Sequence, residues 1–271
     1  MNFRHLKIFL DKKVELYNRP SFITDDPICV PHLFSRKQDI EIAGFFAAIF
    51  AWGNRATIIN KSKELMQLMD NAPHQFCVHH NSSDLKKLIA FKHRTFNITD
   101  LLYFIEFLKH HYSKNQSLES AFFCNDTSYL KEAGKASPPT GGEGLVGACL
   151  NSFYHYFFSL QDIPPRTKKH IATPEKNSTC KRLNMFLRWM VRKDGKGVDF
   201  GIWENISPAL LVCPIDVHVA RVAKHFKLLQ RNAIDWQAAL ELTNNLRKFD
   251  EADPVKYDFA LFGTGVMQKI I

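Results

Sequence analysis

The stretch Cys213-Pro214-Ile215-Asp216-Val217-His218-Val219-Ala220-Arg221-Val222-Ala223 reads as a helix opened by a proline. Proline sets φ near its helical value and lacks the N–H that a first helical residue leaves unbonded, so it is favoured at such a start. Apolar residues follow at helical spacing. Asp216 falls in the first turn, where backbone N–H groups attract a carboxylate. Lys181 lies 35 residues upstream, at the start of a second amphipathic helix from Cys180 to Arg192. There Leu183, Phe186, Leu187 and Met190 make an apolar face, and Lys181, Met185, Arg188 and Arg192 fall on the opposite one.

The same periodicity extends outward along the chain. Asp39 to Trp52 is apolar nearly all round and reads as a central, buried helix. Gly53-Asn54 breaks it, and Arg55 to Asp70 is the next helix. Pro73 starts a short segment, Leu85 to Phe91 a short helix, and Thr99-Asp100 caps a helix reaching about Tyr112. Gly134 to Gly144 is a Gly/Pro-rich flexible loop. An aromatic-rich helix from Leu145 to Leu160 follows, and Pro164-Pro165 ends it. Asp199 to Trp203 is a loop, Asp235-Trp236 starts a helix ending near Phe249, and Asp253-Pro254 opens the last. Ala209 to Val212 suits helix or strand. The expected fold is all-α, with helical subdomains at 37–160 and at 1–36 plus 161–271.

The formal net charge is +9. From Gln161 to Arg231 there are 14 Lys and Arg against 6 Asp and Glu, a surplus of eight. A basic excess so concentrated suits a polyanion such as nucleic acid, or an anionic membrane surface. No apolar run reaches the ~18 residues of a membrane span, and the first residues lack the apolar core of a signal peptide, so a cytoplasmic protein is expected. The six cysteines are scattered without a C-x-x-C pair, which argues against structural zinc or an iron–sulfur cluster and for reduced thiols. His79-His80 and His110-His111 cannot each face one metal, because adjacent helical residues diverge by about 100°. No metal and no cofactor are expected.

Few residues can carry chemistry. Asp216 is either a plain helix cap or a fixed carboxylate able to stabilise a developing cation. Lys181 is either a phosphate or solvent lysine or, as a neutral amine, a nucleophile. Lys168 and Lys169 sit in a loop and suit phosphate contacts. The segment Thr173 to Thr179 leads small polar residues into a helix start, a setting for phosphate, although it has no Gly-x-Gly. His218 could touch a phosphate or act as a base.

Pro214-Ile215-Asp216-Val217-His218 resembles the helix start that carries the catalytic aspartate in the helix-hairpin-helix DNA glycosylase superfamily. Lys181-Arg182-Leu183-Asn184-Met185-Phe186 resembles the catalytic-lysine helix of its archaeal 8-oxoguanine glycosylase branch. Over most of its length the chain also looks like a member of a bacterial family of uncharacterised proteins related to that superfamily, through Cys180 to Arg192 (CKRLNMFLRWMVR), Asp199 to Trp203 (DFGIW) and Asp258 to Val266 (DFALFGTGV).

The resemblance implies two helical subdomains flanking a cleft and a monomeric, nucleoid-associated DNA repair glycosylase with lyase activity. Its substrate would be duplex DNA carrying a damaged base such as an oxidised purine of the 8-oxoguanine kind. Lys181 would attack C1′ and form a Schiff base, and Asp216 would stabilise charge on the sugar. Phosphates would fall to Lys168, Lys169, Lys176, Ser178, Arg182, Arg188, His218 and Arg221. Trp52, Arg55, Phe200 and Trp203 could line a base pocket, and each could equally be core. A glycosylase using an activated water and a non-catalytic DNA-binding protein are the alternatives.

Overall fold

Apolar periodicity in this chain leads to helices throughout. The computed structural model describes residues 2–122 and 143–267, and among them there is no strand, only an isolated bridge between His93 and Phe96. In chain order the α-helices are α1 (Phe3–Tyr17), α2 (Pro20–Ile23), α3 (Lys37–Ile49), α4 (Arg55–Leu68), α5 (Pro73–His79), α6 (Ser82–Lys87) and α7 (Ile98–Tyr112). They continue with α8 (Glu119–Phe122), α9 (Glu143–Phe157), α10 (Lys181–Val191), α11 (Val217–His225), α12 (Trp236–Arg247) and α13 (Tyr257–Met267). No helix among the described residues is long and apolar enough to cross a membrane. The loop expected at Gly134 to Gly144 lies outside the described secondary structure but for its last two residues, which begin α9.

The chain divides into two compact units. One comprises Ile23–Cys124 and Ser152–Ala172, so far as these are described. Its centre is α3, buried from Ile40 to Ile49, as a helix apolar on every side requires. The one charge in that run, Glu41, accepts hydrogen bonds from the Tyr112 hydroxyl at 2.8 Å and the Leu118 N–H at 3.0 Å. Around α3 the aromatic residues gather. Phe45 stacks on Phe104 with ring centroids 5.8 Å apart, and Phe104 meets Phe157 edge-on at 4.7 Å. Such pairs each contribute about 0.5–1.5 kcal/mol beyond area burial, which accounts for much of the use of phenylalanine. Caps begin earlier than the sequence suggested: Asn97, not Thr99, caps α7, and Asn81 starts α6 at Ser82 rather than Leu85, each in a capping box with an aspartate three residues on. The buried Asp100 also accepts from the Thr167 hydroxyl at 2.8 Å and pairs with Arg166 at 3.3 Å. These bonds pin the 3-10 turn Pro165–His170, which carries Lys168 and Lys169.

The other unit comprises Met1–Phe22, Asn125–Asn151 and Thr173–Ile271, so far as these are described. Both α1 and α11 pack along α13. The segment Phe262-Gly263-Thr264-Gly265 permits that approach. A Cβ at Gly263 would overlap the Tyr17 ring, and one at Gly265 would stand 3.1 Å from the His218 Cβ. Gly263→Ala is therefore expected to lower stability by about 1–3 kcal/mol, the range for overpacking a tight contact. Urea denaturation of the variant beside the wild type checks it.

Candidate functional site: a lysine and an aspartate at two helix starts

The start of α10 is set by its approach. The 3-10 turn Pro174–Lys176 leads to Asn177 at φ 53° and then to Cys180 at φ 51°, both left-handed. The Asn151 carboxamide oxygen holds this turn, accepting from the Thr173 hydroxyl at 2.5 Å and the Glu175 N–H at 3.3 Å. Ser178 Oγ accepts from the Cys180 N–H at 3.2 Å, and Asn184 Nδ2 donates back to the Thr179 carbonyl at 3.0 Å. The left-handed residue at 180 turns the chain so that Lys181 is the first helical residue. Cys180 is itself buried, and burial pushes its thiol up to about 12, so it stays a protonated thiol at neutral pH. Cys29, Cys77, Cys149 and Cys213 are likewise reduced thiols. Cys124 lies outside the described residues.

The second helix starts later than the sequence indicated. Pro214 and Ile215 are not helical; they belong to a buried, irregular segment whose Cys213 N–H donates to Thr243 Oγ1 at 3.0 Å. Asp216 is the N-cap of α11, with extended backbone at φ −122°, ψ −173°. Its Oδ1 accepts from the N–H groups of His218 and Val219, both at 2.9 Å. A capping side chain requires non-helical backbone at its own residue, which is why the helix begins after Asp216 rather than at Pro214.

With Oδ1 committed to the cap, Oδ2 faces Lys181: Nζ stands 3.6 Å from it. The lysine side chain is 30% exposed and the aspartate 17%, so both can be reached from solvent. An ion pair this open contributes only about 0–1 kcal/mol. The pair therefore matters less for stability than for what an amine beside a fixed carboxylate can do chemically.

Behind the pair lies a buried network. Arg188 and Arg192, expected on the outer face of their helix, are only 4% and 2% exposed. Arg188 donates from Nε to Asp199 at 3.2 Å and from Nη1 to Asp258. Arg192 donates to Asp199 at 2.6 Å, to Asp194 at 2.7 Å and to Asp253 at 2.9 Å. Both guanidinium groups lie over the Phe259 ring, at 4.3 and 5.5 Å. The reason is that α10 is covered on both sides, by apolar residues on one and by acids on the other. Arg188 is thus occupied within the protein and does not present itself to a phosphate. Asp199 and Asp258 come from the DFGIW and DFALFGTGV phrases, so the three phrases share one electrostatic purpose. Burial pushes the Asp258 carboxyl up to about 6, against the opposing charge of Arg188 and with the help of Asp216. Burial raises Asp253 as well, with Arg192 opposing it.

The remaining candidates are placed unevenly. Arg182 and Ser178 are half-buried beside Lys181 in the chain, and Lys176 is exposed. The His218 ring is half-buried, and its Nδ1 is enclosed without a hydrogen-bond partner. Arg221 is exposed and donates to the Gly265 carbonyl at 3.0 Å. Trp203 is core, 2% exposed and edge-on to Phe186 at 5.3 Å, so it offers no face to a base. Phe200 is half-buried and its N–H donates to the Trp189 carbonyl at 2.8 Å. Lys168, Lys169, Trp52 and Arg55 belong to the other unit, where Trp52 lies edge-on to His93 at 4.8 Å.

The fold and this site define an all-helical protein with a lysine–aspartate pair at two helix starts. The chain belongs to the family described as "Protein of unknown function (DUF2400)", whose profile matches residues 26–267. No curated protein matches it, and no solved structure does.

Proposed function

We propose that this protein is a DNA glycosylase with lyase activity, akin to the helix-hairpin-helix superfamily, acting on a damaged base of the oxidised-purine kind in duplex DNA. The observation that carries this reading is the 3.6 Å approach of Lys181 Nζ to the one Asp216 oxygen not used for capping. In the neutral form Lys181 attacks C1′; the Nζ–C1′ bond forms as the bond to the base breaks, and the base leaves with a proton. The C1′–O4′ bond then breaks as the nitrogen lone pair forms the C1′=N bond, and the second amine proton passes to O4′, which becomes a hydroxyl; this gives the Schiff base. Asp216 Oδ2 stabilises the positive charge that develops on the sugar. The target nucleotide has to leave the stack to be reached, and the basic residues between 161 and 231 other than the buried, acid-paired Arg188 and Arg192 support binding to the phosphates.

The two roles of Asp216 can be separated by substitution. Asparagine caps a helix as well as aspartate does, so Asp216→Asn should keep the stability and lose about 10²–10³-fold in base release. Asp216→Ala should lose the same activity and about 1 kcal/mol of stability as well. Single-turnover base release and thermal denaturation on the same preparations check both. The reading as a whole is tested on oligonucleotide duplexes carrying 8-oxoguanine, uracil, an alkylated base or an abasic site. It expects base release on an oxidised purine and strand cleavage at the abasic site. Salt-dependent duplex binding with neither activity would replace it by a non-catalytic DNA-binding role.

A further inference from the structure

We infer that a basic ridge on the unit without Lys181 and Asp216, formed by Arg94, Arg166, Lys168 and Lys169, binds the phosphodiester backbone of duplex DNA. The inference deepens the proposed action on DNA and rests on that reading for its partner. Residues 92–100 and 164–172 carry five Lys and Arg against one carboxylate, Asp100. That carboxylate is wholly buried, whereas Lys92, Arg94, Arg166, Lys168 and Lys169 are exposed.

Asp100 also joins the two segments. It accepts from the Asn97 N–H at 3.0 Å, directly after the tight turn His93–Phe96, and from the Thr167 hydroxyl at 2.8 Å. The turn is closed by two backbone bonds between His93 and Phe96, each 2.9 Å, which leaves Arg94 and Thr95 at its tip. Arg166 Nη2 donates to the Thr95 carbonyl at 2.7 Å, so its guanidinium lies on that tip, across 71 residues of chain. It pairs there with Asp100 at 3.3 Å as well. Arg94, Lys168 and Lys169 have no carboxylate partner among the described residues. Arg94 has a left-handed backbone, φ 53°, which glycine adopts more readily than arginine. Its guanidinium lies against Gly53, where a Cβ would overlap Nη1. The turn would form at least as readily with glycine at 94, so the arginine adds charge rather than stability. A guanidinium already held in place loses less freedom on binding an anion, and its planar donors match phosphate. Two seated arginines beside two lysines, with no exposed acid in either segment, suit a row of phosphates.

The test measures the affinity of the full-length protein for a labelled, undamaged duplex of about 20 base pairs, between about 50 and 200 mM KCl. Arg94→Gly is expected to keep a thermal midpoint no lower than the wild type, since glycine takes φ 53° without strain. It is expected to reduce the salt slope by about 1. At about 0.1 M salt, a slope near 0.9 per phosphate corresponds to about an eightfold loss of affinity. Lys168→Ser with Lys169→Ser leaves Arg94 untouched and is expected to reduce the slope by about 2. Arg166 is kept, because it also compensates the buried Asp100. The same charge removed elsewhere, by Lys12→Ser with Lys86→Ser, is expected to leave the slope as it was. Unchanged slopes and affinities in the ridge variants, or an equal loss in that control, overturn the inference. So does a loss confined to binding of phosphatidylserine vesicles. Trapping by the wild type, with ridge variants that bind duplex as it does, overturns the inference alone. Weaker duplex binding by the ridge variants, with neither base release nor trapping by the wild type, sustains the inference and overturns the lyase reading.

Discussion

Lys181→Gln is expected to abolish borohydride-trapped complex with abasic-site DNA, by at least about 10³-fold, while leaving the fold intact. An amide cannot form an imine, so the covalent route closes completely. Stability should scarcely change. Lys181 occupies the first position of α10, glutamine is as good a helix former as lysine, and the pair it gives up is open to solvent. A thermal midpoint within a few degrees of the wild type, together with unchanged duplex affinity, would show that only the chemistry has gone. If Lys181→Gln traps as well as the wild type, the nucleophile is elsewhere.

Arg192→Met is expected to have the opposite profile, a loss of about 3–5 kcal/mol in stability. Its guanidinium compensates three carboxylates, those of Asp194, Asp199 and Asp253, and is 2% exposed. Removing one partner of a buried pair costs far more than the pair contributes, because the remaining charge is stranded away from water. Methionine keeps most of the apolar stem, so cavity formation adds little. The deficit should shrink toward acid pH, as the stranded carboxylates take up protons in the folded state. Guanidinium denaturation at pH 7.5 and 4.5 measures it; a loss that is small and independent of pH would mean that the network does not anchor α10.

Much of the helical layout was legible, because apolar spacing and caps act locally. The buried α3, the helix opening at Lys181 and the start of α12 after Asp235 follow from a few neighbouring residues each. What escaped was long-range. Arg188 and Arg192 recur at helical spacing, and a charged stripe on an amphipathic helix reads as a solvent face. Their acids lie elsewhere in the chain, with 70 residues separating Arg188 from Asp258 and 61 separating Arg192 from Asp253. Nothing within α10 announces that pairing. The signal available was compositional: two short phrases rich in aromatics, each carrying one aspartate. The start of α11 is ambiguous in the sequence because proline and a capping aspartate two residues apart both mark helix starts, and only the extended backbone of Asp216 decides between them. Helix α1 carries only a faint local signal, since its buried Leu6, Leu10 and Val14 stand at i, i+4, i+8 among charged residues. The candidate site was legible as two helix starts; the 3.6 Å between their side chains was not.

The central claim is that Lys181 forms a covalent bond with the sugar. The most direct measurement is peptide mass mapping of wild-type protein trapped by borohydride on an abasic-site oligonucleotide. The account predicts a reduced sugar adduct on the peptide containing Lys181. Folded, DNA-binding protein that yields no adduct, or an adduct on a different residue, would contradict it.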